Sequence, residues 1–183
     1  MCKHSSYFYS LLAKHNIISL LVDRLFDKDT NPRVSVYAIM MISKHSDLFY
    51  EDLRVCIPQL AKLLVSAEST NLTKKNVAGC LNHLSAHSNK LCEDMISKGA
   101  IEALLKVVAD YADVALDQCK IDYIIEFPLY KVVEALATMC QHLPCSNFIG
   151  SIDVLPVFGK LCESPNKDIA GLATLILKRA IKS

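Results

Sequence analysis

The stretch Asn76-Val77-Ala78-Gly79-Cys80-Leu81-Asn82-His83-Leu84-Ser85, followed after three residues by Asn89-Lys90-Leu91-Cys92-Glu93-Asp94-Met95-Ile96-Ser97-Lys98-Gly99-Ala100-Ile101, decides the reading of the chain. It reads as a long amphipathic helix, a short one, and the opening of another, with breaks where polar residues or Gly99 interrupt the apolar periodicity. The same order spreads outward in both directions. Before it come expected helices over Tyr7 to Lys14, Ile17 to Phe26, Arg33 to Lys44, Asp47 to Arg54 and Ile57 to Ser66, then the long Thr73 to Ala86. After it come Ala100 to Ala109, Pro128 to His142, a short element near Phe148, Val154 to Cys162, and Lys167 to Ile181. No stretch shows strand-like alternation.

Aligned second helices make the repetition explicit. Ile18-Ser19-Leu20-Leu21, Ile57-Pro58-Gln59-Leu60, Ile101-Glu102-Ala103-Leu104 and Leu155-Pro156-Val157-Phe158 stand 39, 44 and 54 residues apart. The chain therefore divides into units 1–46, 47–88, 89–144 with an insertion at 110–127, and 145–183. Proline in a first helical turn is favourable, because that amide has no intrahelical acceptor. Each unit alone would expose apolar faces, and stacking buries them against the next, which is the logic of a solenoid. The expected fold is all-α, a single alpha solenoid.

The quoted stretch resembles the armadillo repeat family, with a long third helix, a short first helix, and the Gly-Ala-Ile opening of a second. Val36-Tyr37-Ala38-Ile39-Met40-Met41-Ile42 and Val133-Glu134-Ala135-Leu136-Ala137-Thr138-Met139 are similar at the matching places. The resemblance implies an all-α, right-handed alpha-alpha superhelix of the armadillo/HEAT-like kind, and a protein-interaction scaffold. In members that grip extended peptides, third helices present an Asn ladder, often beside Trp. Here the matching positions hold Met41, His83 and Thr138, and the chain has no Trp. Met lacks the paired donor and acceptor of an amide, so a different ligand or surface is implied. A looser similarity is to the armadillo-containing tail of a fused-type kinase.

Composition excludes several classes. With 52% hydrophobic and 21% charged residues, the chain is neither disordered nor fibrous. Twenty Lys+Arg against nineteen Asp+Glu leave +1, which gives no global attraction to nucleic acid or an acidic membrane. Cys2, Cys56, Cys80, Cys92, Cys119, Cys140, Cys145 and Cys162 contain no Cys-x-x-Cys pair and fall mostly among apolar residues, which suits a reducing compartment such as the cytoplasm. The N-terminus lacks signal-peptide features, and no run of about eighteen apolar residues offers a membrane span.

Candidate sites divide into a groove, a metal cluster and an insertion. Lys74 and Lys75 open the long third helix, and Arg33 and Lys167 hold comparable places. Stacked in register, these cations line a groove edge that attracts an acidic segment; the alternative is a solvated helix start. Arg33, Lys74 and Lys75 together with Met41, His83 and Thr138 form the expected partner-binding set. Cys80, His83 and His87 share a helix face and could supply three zinc ligands, although Cys80 equally suits the small core position held by Ala38 and Ala135. Cys140, His142 and Cys145 are a second such cluster, with His142 expected to close a helix ahead of Pro144. The insertion carries Tyr111, Tyr123 and Phe127 beside acids, forming either a docking surface or a filled groove.

No phosphate loop, His-Glu-x-x-His or paired-carboxylate motif stands out, so neither an enzyme nor a cofactor is expected. The expected function is a non-catalytic scaffold for a protein or peptide partner, acidic where the basic edge is used. The alternatives are a regulatory repeat domain of a larger protein and a small metal-binding protein. Apolar residues at Tyr7, Phe8, Tyr9, Leu11 and Leu12, and at Leu172, Leu175, Ile176 and Leu177, point to self-association or to neighbouring repeats.

Overall fold

The computed structural model describes residues 7, 10–12, 14–27, 31–44, 46–86, 89–117 and 128–181. Among them the chain forms eleven helices of seven residues or more and no strand. These are α1 (Ile17–Phe26), α2 (Pro32–Ser43), α3 (Ser46–Arg54), α4 (Ile57–Val65), α5 (Asn71–Ala86) and α6 (Asn89–Ser97). They continue with α7 (Ala100–Leu116), α8 (Leu129–Met139), α9 (Leu143–Ser151), α10 (Leu155–Leu161) and α11 (Lys167–Ala180).

Local chemistry sets the ends. The Asn31 side chain accepts from the Arg33 amide ahead of α2, and Asn166 accepts from the amides of Asp168 and Ile169 ahead of α11, each satisfying N-terminal groups that lack an intrahelical partner. Pro32, Pro58, Pro144 and Pro156 occupy first turns, where their missing amide costs nothing. Gly99, at φ 72°, lets α6 pass into α7 with a two-residue turn.

Three boundaries differ from the sequence expectation by more than one residue. The Thr70 hydroxyl accepts from the Thr73 amide, so α5 begins at Asn71, and Lys74 and Lys75 lie inside its first turns instead of opening it. Residues 110–116 are two further turns of α7, not a new element; Ala112 and Ala115 are buried, and the Ala115 carbonyl accepts from the Ser164 hydroxyl at 2.6 Å. The rest of the insertion, 118–127, lies outside the described residues. His142 does not close a helix. Its backbone is extended, at φ −100° and ψ 125°, and it stands as the N-cap of α9, which Pro144 opens. That helix starts two residues ahead of the expected unit boundary at 145.

The helices stack in three ladders. Helices α2, α5, α8 and α11 pack successively, as do α4, α7 and α10, while α9 packs on α6. The core is continuous, from Ile18, Val36 and Ile39 through Leu81, Leu104 and Leu136 to Ile169 and Ile176. Polar ties recur at about one repeat length. Gln59 Nε2 donates to the Leu25 carbonyl at 3.0 Å, and Arg179 Nη1 donates to the Ala137 carbonyl at 2.8 Å. Between α3 and α6, Arg54 grips Asp94 with two charge-assisted hydrogen bonds, and Lys98 Nζ donates to the Arg54 carbonyl at 3.0 Å. At the C-terminal end α11 sits so close to α9 that a Cβ on Gly150 would lie 2.5 Å from the Ala180 carbonyl oxygen.

Candidate functional site

The α2, α5, α8 ladder builds a furrow from regularly spaced side chains. Arg33, Tyr37, Met40 and Lys44 follow one another at intervals of four, three and four, which puts them on one face of α2. Leu72, Asn76, Gly79 and His83 form the facing stripe on α5, with the same intervals. Between the two, a hollow of about 510 Å³ is lined by Arg33, Val34, Tyr37, Leu72 and Asn76. A second, of about 360 Å³, runs over Met40, Lys44, Lys75, Gly79 and His83 to Lys131 and Glu134 on α8.

Its floor depends on glycine. A Cβ at position 79 would stand 2.8 Å from the Met40 sulfur, so the missing side chain is what lets Met40 lie across α5. Val34, Tyr37 and Leu72 are 74%, 53% and 40% exposed, an apolar strip flanked by cations. Lys131 Nζ meets Glu134 at 2.8 Å and lies 5.3 Å from the Tyr130 ring centroid, so that end of the furrow carries a paired charge. Asn82 also lines the second hollow; its Oδ1 is buried with no hydrogen-bond partner among the described residues.

The expected partner-binding residues separate in three dimensions. Arg33, Lys75 and His83 reach the furrow. Met41 is 39% exposed but stands outside its lining, where Met40 takes part instead. Lys74 is half-buried and lines neither hollow, and the Thr138 hydroxyl donates to the Glu134 carbonyl of its own helix at 3.1 Å. Tyr111 is half-buried and donates its hydroxyl to Asn71 Oδ1 at 2.9 Å, tying α7 to α5. Tyr123, Phe127 and His87 lie outside the described residues. Tyr37, Met40, Lys44 and Leu72 were missed by sequence reasoning; the signal was the four-three-four spacing from Arg33.

Among the described thiols, Cys56, Cys80, Cys92, Cys140 and Cys145 are buried and Cys162 is half-buried. Cys80 is fully buried, its sulfur directed at the Val36 carbonyl at 3.5 Å, and burial pushes the thiol well up, away from the metal-binding thiolate form. Burial likewise pushes Cys56 and Cys140 to about 12. A hydrogen bond shared by the Cys92 and Cys145 thiols lowers Cys92 and raises Cys145, with burial adding to the rise at Cys145. Among the described residues, no group of three His, Cys, Asp or Glu side chains is placed to hold a metal ion. A larger hollow of about 600 Å³ lies between α8, α9 and α11, away from the furrow, and there the Arg179 guanidinium holds the Ala137 carbonyl.

Among solved structures, the chain is similar to the armadillo-repeats-only protein of Plasmodium falciparum, with a TM-score of 0.74 and 15% identity over 98% of this chain and 74% of that one. The fold is an all-α solenoid of the armadillo/HEAT-like kind. A designed armadillo repeat protein in complex with the peptide (KR)4 is also similar, at a TM-score of 0.53 and 19% identity, over 93% of this chain and 84% of the designed one. In sequence the chain is 44% identical over 130 residues, 70% of its length, to the serine/threonine-protein kinase TIO of Arabidopsis thaliana. It spans 10% of that kinase's length. No family model matches. Among the described residues, no helix is long and apolar enough to cross a membrane.

Proposed function

We propose that this armadillo solenoid, read as four units, is a non-catalytic scaffold that holds an extended segment of a partner protein in the α2–α5–α8 furrow. The observation that carries the reading is the pair of facing stripes on α2 and α5, which leave exposed apolar side chains beside cations along two neighbouring hollows that share Asn76. Apolar anchors with a polar rim are the ordinary composition of a recognition surface. The peptide complex of the similarly folded designed protein supports the reading by analogy of fold.

A second reading is that the chain acts as a repeat domain of a larger regulatory protein. The identity with part of the TIO kinase favours it, and it is compatible with the first. In that setting the furrow would recruit a partner or a substrate for a catalytic region elsewhere in the polypeptide.

Photo-crosslinking tests the scaffold. A photoreactive residue at position 75, in the furrow, is expected to crosslink one contiguous segment of a partner, mapped by mass spectrometry. The same residue at the exposed position 106 of α7 is expected not to do so. Equal crosslinking from both positions, or none at position 75, would refute the furrow as the contact surface.

A further inference from the structure

We infer that the occupant of the furrow is an extended protein segment with acidic side chains at both ends of a short apolar centre. The inference rests on the scaffold reading and specifies the chemistry of its partner. Charge complementarity carries it. The chain as a whole is almost neutral, yet the two hollows are lined by Arg33, Lys44, Lys75 and Lys131 against Glu134 alone. Lys131 and Glu134 pair with each other, and Arg33 and Lys44 place positive charge at the two ends of the α2 stripe.

The order along α2 adds shape to the charge. Arg33 and Lys44 stand at the two ends of the stripe, with Tyr37 and Met40 between them and Leu72 facing from α5. Eleven residues of helix span about 16 Å. An extended strand covers that distance with about five residues. Carboxylates at its ends would meet Arg33 and Lys44 while its central apolar side chains cover Tyr37 and Leu72. A uniformly basic segment would meet like charge at both ends, and a uniformly acidic one would leave the exposed apolar strip uncovered.

Three labelled peptides test this on the intact chain by fluorescence anisotropy. They are Asp-Glu-Leu-Phe-Glu-Asp, its amide counterpart Asn-Gln-Leu-Phe-Gln-Asn, and Lys-Lys-Leu-Phe-Lys-Lys. The acidic peptide is expected to bind about tenfold more tightly than the amide one, with the basic peptide weakest, and its affinity should fall as salt rises. Arg33→Glu and Lys44→Glu should each weaken the acidic peptide by about three- to tenfold. Lys167→Glu, at the exposed start of α11 outside the furrow, should leave it unchanged. If the amide peptide binds equally well and Tyr37→Ala abolishes binding, the acidic inference is overturned while the furrow stands. If Lys167→Glu weakens binding as much as Lys44→Glu, or if none of the three peptides binds, the inference is likewise overturned, and crosslinking at position 75 judges the furrow separately.

Discussion

Breaking the Arg54–Asp94 clamp from either side should not cost the same. Asp94 is 8% exposed in its side chain and takes two hydrogen bonds from Arg54, whereas Arg54 is 36% exposed and also lies 3.7 Å from Glu51. Arg54→Ala removes both hydrogen bonds from a buried carboxylate that keeps Lys98 Nζ at 3.7 Å, and should cost about 2–4 kcal/mol. Asp94→Ala leaves a guanidinium that can turn to water, and should cost about 1–2 kcal/mol. In the double mutant the coupling should be about 1.5–3 kcal/mol, the worth of a charge-assisted bidentate pair. Arg54→Lys should recover little, because a single ammonium cannot reproduce the planar fork. Urea denaturation followed by circular dichroism measures all four. The reasoning fails if Asp94→Ala costs as much as Arg54→Ala, or if the coupling is below about 0.5 kcal/mol, the value of an exposed ion pair.

Glycine substitutions should sort by surroundings. Gly150→Ala drives a Cβ into the Ala180 carbonyl and should destabilise by about 1–3 kcal/mol, whereas Gly171→Ala meets nothing within 4 Å and should stabilise α11 by up to about 1 kcal/mol; thermal melts that rank them the other way would contradict the packing. Native alkylation at pH 8, read by peptide mass spectrometry, should modify the half-exposed Cys162 before the buried Cys56, Cys80 and Cys140. Because burial raises Cys56 and Cys140 from an ordinary 9.0 to about 12, the unfolded chain loses these protons first. Their contribution to stability is therefore full below pH 9.0 and is lost as pH rises toward 12; a Cys56→Ala variant should lose less stability than the parent between pH 8 and 10.

Much of the fold was legible because a solenoid is a local structure. Each helix of this chain carries its own apolar stripe and its own breaks, so Ile17–Phe26 and Asn89–Ser97 could be read residue for residue. Errors arose where a helix end depends on a cap or a neighbour. Thr70 caps α5 earlier than hydropathy suggests, and α7 runs past Ala109 because Ala112 and Ala115 find a covering surface, with Ser164 on the Ala115 carbonyl. His142 stands between two helices, and only the backbone shows which of them it serves.

The site was less legible for a related reason. Alignment with a known repeat named Met41, His83 and Thr138, but a register position says nothing of what an adjacent helix covers. Met40 reaches the furrow because Gly79 on the next unit leaves room for it, and Thr138 spends its hydroxyl on its own helix. By itself the sequence determined the helical period and the buried place of Cys56, Cys80, Cys92, Cys140 and Cys145, since each follows from apolar spacing along the chain. The tertiary structure decided which residues of α2 and α5 face each other across the furrow and how their charges add, because those depend on the stacking of units about forty residues apart.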